Sequence, residues 1–275
     1  MIYPLTYINP NATIAANVKI DPFTVIASDV IIEEGSWIGS NVSICEGTRI
    51  GKNVKIYPGA VIGEVPQDLK YKGEKTHTII GENSTIREFV TINRGTTYHN
   101  KTEIGKNCFI MAYTHIGHDC IIGDNCVLSN SCQMAGHVIL GDHVWIAGVT
   151  AIHQFVRIGQ HCYIAGGSLV TKDVPPYIKA VRNPLSYGGI NSIGLKRRGF
   201  NAEKINQILD IYRIIFNKNL NTTQSLQFIE EEVQVTDERD EILQFIRSSG
   251  RGIVRKFQSN KSDLDEGNFN EDFNN

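Results

Sequence analysis

The chain has no excess of positive charge, no long apolar run and no closely paired cysteines, and each absence removes a class of function. Its 275 residues carry 27 Lys and Arg against 29 Asp and Glu, a formal charge of -2 that leaves no electrostatic footprint for nucleic acid. No segment approaches the ~20 apolar residues of a membrane span, and the N-terminus lacks a basic region followed by an apolar stretch. The expectation is a cytoplasmic protein without stable membrane insertion. Among six cysteines there is no Cys-x-x-Cys pair, which argues against a thiolate zinc site.

What is present is a period. From Ile8 to Val170, 25 positions obey a six-residue spacing and 21 of them are Ile, interrupted only after Ile62 and Ile92. Neither a helix nor an alternating strand repeats at six, whereas the coils of a parallel β-helix do, each apolar residue stacking under its counterpart one coil away. Four residues after each Ile stands something small or β-branched, such as Val18, Thr24, Ser36 and Val42, as a narrow interior requires. Cys108, Cys120, Cys126, Cys132 and Cys162 occupy this same position and are expected to be buried small apolar residues. Gly39, Gly51, Gly105 and Gly123, with Asn41, Asn53, Asn107 and Asn125, are assigned to the corners, where branched residues resist the backbone angles.

Two polar excursions, 63 to 79 and 93 to 103, leave the repeat. Loops ejected from a rigid solenoid usually serve binding. The solenoid is expected to end at Asp173-Val174-Pro175-Pro176-Tyr177, because consecutive prolines remove ladder donors. The β-helical domain is then taken as 1–187, followed by a connector at Tyr187, Gly188 and Gly189. A helical domain over 188–255 carries apolar stripes of Ile205, Ile208, Leu209, Tyr212, Ile215 and Phe216, of Leu226, Ile229 and Val233, and of Ile242, Phe245 and Ile246. The polar, acidic stretch 256–275 is expected to be a disordered tail.

Six residues per face and three faces per coil put residues 18 apart on the same face of adjacent coils. Ile116, Met134 and Ile152 are such a set, and His115, His118, His137 and His153 cluster around them. The backbones of His118 and His137 are expected roughly 6 Å apart and those of His118 and His153 roughly 10 Å apart. Such a column suits a catalytic base with substrate contacts, a zinc site or an inert stack. His143 and His161, also 18 apart, are expected to stack as two solvated surface imidazoles.

Several segments carry a resemblance: His115-Ile116-Gly117-His118-Asp119-Cys120, Ala135-Gly136-His137-Val138, Ala151-Ile152-His153-Gln154-Phe155, the loop Gly63 to Tyr71, and Gly194-Leu195-Lys196-Arg197-Arg198-Gly199-Phe200. Over roughly residues 1 to 255 the chain resembles the UDP-N-acetylglucosamine acyltransferases of lipid A synthesis. The resemblance implies a left-handed parallel β-helix with a small α-helical C-terminal domain, assembled as a homotrimer with active sites between subunits. It implies transfer of an (R)-3-hydroxyacyl group from acyl carrier protein to the glucosamine 3-hydroxyl of UDP-N-acetylglucosamine, with no cofactor and no metal. His118 would then be the general base, Asp119 its orienting carboxylate, and the Gly136 N–H the oxyanion donor. Gln67, Asp68, Lys70, His115, His137, His153 and Gln154 would meet the sugar, acyl chain or diphosphate. Asn191, Arg197 and Arg198 would reach the nucleotide, and Gly166 would leave the acyl groove open to a long chain. Two positions depart from the family pattern: Asn93 stands where a phosphate-binding histidine is usual, and Ile193 where an acid often sits near the uridine.

Other activities fit these residues less well. The related UDP-sugar N-acyltransferase carries a substantial N-terminal uridine-binding domain, whereas here the repeat starts at Ile8. A coenzyme A-dependent acetyltransferase has no need of both loops and the arginine connector. A metal-dependent carbonic anhydrase on this solenoid would require histidine ligands from two subunits, and an ice-binding solenoid would show Thr rows and no histidine column.

Overall fold

The computed structural model describes residues 4–218 and 220–257. The repeat Ile residues end strands that are mostly two residues long, which stack in parallel into sheets of nine, eight and eleven strands, the three faces of a prism. Register follows the spacing: Ile116 pairs with Met134, and Met134 with Ile152. Nearly all the repeat residues are buried in one continuous core. The small positions fill the rest, and polar ones are satisfied by carbonyls, as Thr24 donates to the Gly39 carbonyl (2.8 Å) and Ser36 to Gly51 (2.9 Å), whereas the buried Thr78 hydroxyl has no partner among the described residues. The five interior cysteines are buried free thiols, and burial pushes the Cys120 thiol up to about 12.

The corners divide the work differently from expectation. Left-handed backbone falls on the third residue after most repeat residues, at Asn41, Asn53, Asn107 and Asn125 but also at Phe89, Tyr113, Asp119, His137, Val149, Phe155 and His161. Gly51, Gly105 and Gly123 do not have positive φ. Their requirement is proximity, since a Cβ on Gly105 would lie 2.7 Å from the Gly123 carbonyl carbon one coil on.

Both ejected loops leave the edge between the first and second faces. Their necks are strands: Val61–Glu64 pairs with Thr91–Asn93, and His77–Ile80 with Lys101–Ile104. Residues expected in the loops are therefore partly sheet, and the loops proper are shorter. The prolines do not end the solenoid either. They occupy a corner, and pairing resumes with Ile178–Val181 alongside Tyr163–Ile164. The expected connector is a strand, Ser186–Ile190, antiparallel to Ile178–Val181, and Gly188 permits its close approach to Val181.

Four helices follow: α1 (Ser192–Arg197), α2 (Ala202–Asn217), α3 (Thr222–Glu232) and α4 (Asp237–Arg247). Asn201, Asn221 and Thr236 cap α2, α3 and α4. The stripes face inward, with Ile208, Tyr212, Ile229 and Ile242 buried. The helices close the end of the prism: Tyr212 Oη donates to the Pro176 carbonyl (2.6 Å), while Gln160 and Tyr177 both donate to the Glu241 carboxylate. Arg255–Lys256 then returns to pair with Ser186–Tyr187. Beyond residue 257 the expected polar tail lies outside the described residues. Among the described residues no helix is long and apolar enough to cross a membrane.

Candidate active site

The edge that ejects both loops also carries the histidine column. His118 sits one position and Asp119 two positions past Gly117, at the turn between the first and second faces, with Asp119 in left-handed backbone. His118 Nδ1 lies 2.8 Å from Asp119 Oδ2. Asp119 is fully buried and takes further hydrogen bonds from the Thr96 hydroxyl to Oδ2 (2.7 Å), the Thr96 N–H to Oδ1 (3.0 Å) and the His99 N–H to Oδ1 (3.1 Å). Burial alone would raise its pKa, but the hydrogen bonds from His118, Thr96 and His99 hold the carboxyl far below the usual carboxylate range. Asp119 is thus a carboxylate that only accepts, so the facing Nδ1 of His118 carries the proton and Nε2 keeps its lone pair.

One coil along, 18 residues from His118, stands Gly136. A Cβ there would lie 2.6 Å from both Cε1 and Nε2 of His118, so the imidazole occupies the space of the missing side chain. Gly136 N–H donates to no acceptor among the described residues, and His137 N–H donates to the His118 carbonyl (2.9 Å). A lone-pair nitrogen and an unpaired amide thus stand side by side, the requirements of base-assisted acyl transfer.

His137 is stacked on Asp119. Its ring packs edge-on to His118 (4.9 Å) and flat on Phe155 (4.3 Å), with Tyr98 edge-on at 4.6 Å. Burial holds its pKa below the ordinary value against the pull of Asp119, and its Nδ1 has no hydrogen-bond partner among the described residues. His115 lies on the strand before the turn with Nδ1 2.8 Å from the Thr91 hydroxyl, its pKa also lowered by burial. Asp68 acts electrostatically on His137, while Gln67 and Lys70 are exposed on the first loop. Ligating atoms of His118, Asp119 and His137 lie within 4.8 Å of one another. Each Asp119 oxygen already accepts two hydrogen bonds, however, so the carboxylate has no lone pair left for a cation.

Other predicted residues lie apart. His153 is exposed, with Nδ1 3.1 Å from Arg251, and touches neither His118 nor His137; Gln154 is half-buried one coil beyond Gly136. Asn93 is buried and binds the two loop necks together through Nδ2 and the Val65 carbonyl (3.0 Å). Gly166 lies exposed at the edge between the third and first faces. Asn191, Arg197 and Arg198 line a cavity of about 360 Å³ on the third face with Trp145, Tyr163 and Ile193. There Asn191 caps α1 and donates to the His161 carbonyl, and Arg198 donates to the His143 carbonyl (3.1 Å). His143 and His161 do stack (4.8 Å), but His161 is not solvated: Tyr177 and Phe200 cover it. Residues missed by the sequence reading are Thr96, Tyr98, His99 and Phe155. Phe155 was within reach, being 18 residues beyond His137, whereas the other three sit in a loop that has lost the phase.

A β-helix with an imidazole–carboxylate pair over an unshielded amide defines a hexapeptide-repeat acyltransferase, and residues 29–64 and 101–136 match the bacterial transferase hexapeptide family. Residues 173–254 match the second domain of the UDP-N-acetylglucosamine O-acyltransferases. The chain is 43% identical over 199 residues to the acyl-[acyl-carrier-protein]–UDP-N-acetylglucosamine O-acyltransferase of Herminiimonas arsenicoxydans, covering 70% of this chain and 76% of that one. The UDP-N-acetylglucosamine acyltransferase structure from Bacteroides fragilis superposes with a TM-score of 0.91 at 48% identity, covering 93% of this chain and 100% of that one. That from Francisella novicida gives 0.90 at 39% identity, covering 93% and 94%. The chain belongs to the UDP-N-acetylglucosamine O-acyltransferase family and shares its left-handed parallel β-helix.

Proposed function

We propose that the protein transfers an (R)-3-hydroxyacyl group from acyl carrier protein to the 3-hydroxyl of UDP-N-acetylglucosamine, the first step of lipid A biosynthesis, in the cytoplasm. His118 Nε2 takes the hydroxyl proton as the oxygen attacks the thioester carbonyl. The Gly136 N–H holds the resulting oxyanion, and collapse expels the carrier thiolate, which takes the proton back from the imidazolium. The reading is carried by the His118–Asp119–Gly136 constellation: a tautomer fixed by a buried carboxylate, beside a free amide. His115, His137, Gln67, Asp68, Lys70, Asn93, His153 and Gln154 are assigned to sugar, diphosphate and acyl chain, and Asn191, Arg197 and Arg198 to the nucleotide.

A homotrimer accounts for the dispersal of these residues. Within one chain they occupy different edges and faces of the prism, and a second copy brings a third-face cavity beside a first-edge base. Exposed apolar residues at the edge between the third and first faces, Phe23, Phe89, Tyr113 and Val149, suit burial between copies. The test is mass spectrometry of products from purified protein, UDP-N-acetylglucosamine and a series of 3-hydroxyacyl carrier proteins, with His118→Ala alongside. Transfer by the wild type and a loss of about 10²- to 10⁴-fold in the folded variant are expected. A His118→Ala protein with the wild-type rate would remove His118 from the mechanism.

A further inference from the structure

The second ejected loop, 94–100, does not line the third-face cavity, yet its backbone is closely constrained. Gly95 has no room for a side chain, since a Cβ would lie 2.3 to 2.6 Å from the Lys101 backbone, so the loop's two ends meet there. Its neck is tied down by Thr76, whose hydroxyl donates to the Gly95 carbonyl (2.5 Å), and by the Gly95 N–H to the His77 carbonyl (3.2 Å). Inside the loop the Asn100 N–H donates to the Thr96 carbonyl (2.8 Å) and the Tyr98 N–H to the Thr96 hydroxyl oxygen (3.2 Å). Beside the Tyr98 ring packed on His137, this closed turn points three donors inward, the Thr96 N–H, the Thr96 hydroxyl and the His99 N–H, and all three end on Asp119.

We infer that loop 94–100 is a carboxylate clamp and that Thr96 is a positioning residue for acyl transfer, acting on His118 through Asp119. The hydroxyl of Thr96 reaches the same oxygen, Oδ2, that faces His118 Nδ1, and from 2.7 Å against 2.8 Å. A hydroxyl donated to Oδ2 keeps the carboxylate ionised and able only to accept, so the facing Nδ1 carries the proton and Nε2 stays free for the substrate hydroxyl. The same bond fixes the rotation of the carboxylate, and with it the plane of the imidazole above Gly136. A purely structural loop would not need to place a side-chain donor on that oxygen, because the Thr96 and His99 amides already anchor Asp119 through Oδ1.

The inference rests on the acyltransfer reading, and its test separates the two. Full-length Thr96→Val, which keeps the shape and loses the donor, and Thr96→Ser, which keeps the donor, are compared with wild type using a 3-hydroxyacyl carrier protein and UDP-N-acetylglucosamine. Thr96→Val is expected to lose about tenfold or more in kcat, with the KM of either substrate changed less than about twofold, and Thr96→Ser to retain most of the rate. In an Asp119→Asn background Thr96→Val should cost almost nothing further, because the two act in series. Independently of turnover, long-range nitrogen–proton spectra of histidine-labelled protein should show the His118 signals displaced in Thr96→Val and restored in Thr96→Ser. A wild type without transfer would defeat the acyltransfer reading while the spectra still decide the clamp. Unchanged His118 signals in Thr96→Val, an unchanged kcat in an active enzyme, or equal losses in the wild-type and Asp119→Asn backgrounds would each overturn it.

Discussion

A glycine beside an imidazole proposed as the base is easily assigned to the amide it exposes, but at Gly136 the missing side chain matters as much. The ring of His118 fills that space, so Gly136→Ala would push the imidazole off Asp119 while leaving the core untouched. A fall in kcat of about 10²-fold is expected, with a melting temperature close to wild type, because a displacement near ~1 Å suffices for that loss. Equal rates in activity assays would show that the ring has other room. A second residue-scale consequence concerns His161. Burial, then the neighbouring His143 and Arg198, hold its pKa at about 4 against an ordinary 6.5. The folded protein therefore keeps His161 neutral where the unfolded chain takes up a proton, so stability is lost as pH falls from 6.5 towards 4, by about 3 kcal/mol at most. Urea midpoints at pH values about 7.5 and about 4.5 should differ less in His161→Gln than in wild type.

At the scale of the element, the coil owes its regularity to two separate devices that composition confounds. Asn tolerates the left-handed corner, whereas glycines such as Gly81 stand where coils nearly touch. A Cβ on Gly81 would meet the Gly105 carbonyl carbon at 2.5 Å and the Lys106 nitrogen at 2.7 Å, all of it backbone. Gly81→Ala should therefore cost more than about 2 kcal/mol, while Gly73→Ala, with open space around it and a φ of 89°, should cost about 1 kcal/mol, as chemical denaturation would measure. The repeat made the β-helix, the register and the shared edge of His118, Gly136 and His137 legible, because from Ile104 onward position modulo 18 is position on the prism. The loops and the end of the solenoid were less legible. Once the six-residue phase is lost, Thr96 and His99 have no predictable location, and the proline pair at 175 and 176 resembles a terminator although a single corner accommodates it.

For the whole molecule, the proposed assignment of Arg197 and Arg198 to the nucleotide, together with their separation from His118, requires more than one chain per working unit. The expected mass in solution is three times 30.6 kDa, by light scattering or sedimentation, and a stable monomer with full activity would contradict the proposal. Solenoids have a further property that follows from each coil touching only its neighbours. Along the axis, distance is counted in whole coils of about 4.8 Å, and a side chain moved by one coil keeps its direction. His118, Gly136 and Gln154 already stand on three successive divisions of such a scale. Selection can therefore lengthen or shorten the span between the base and any contact by exchanging two residues a coil apart, without turning either of them. The geometry of this site is graduated, and its adjustment requires substitution alone.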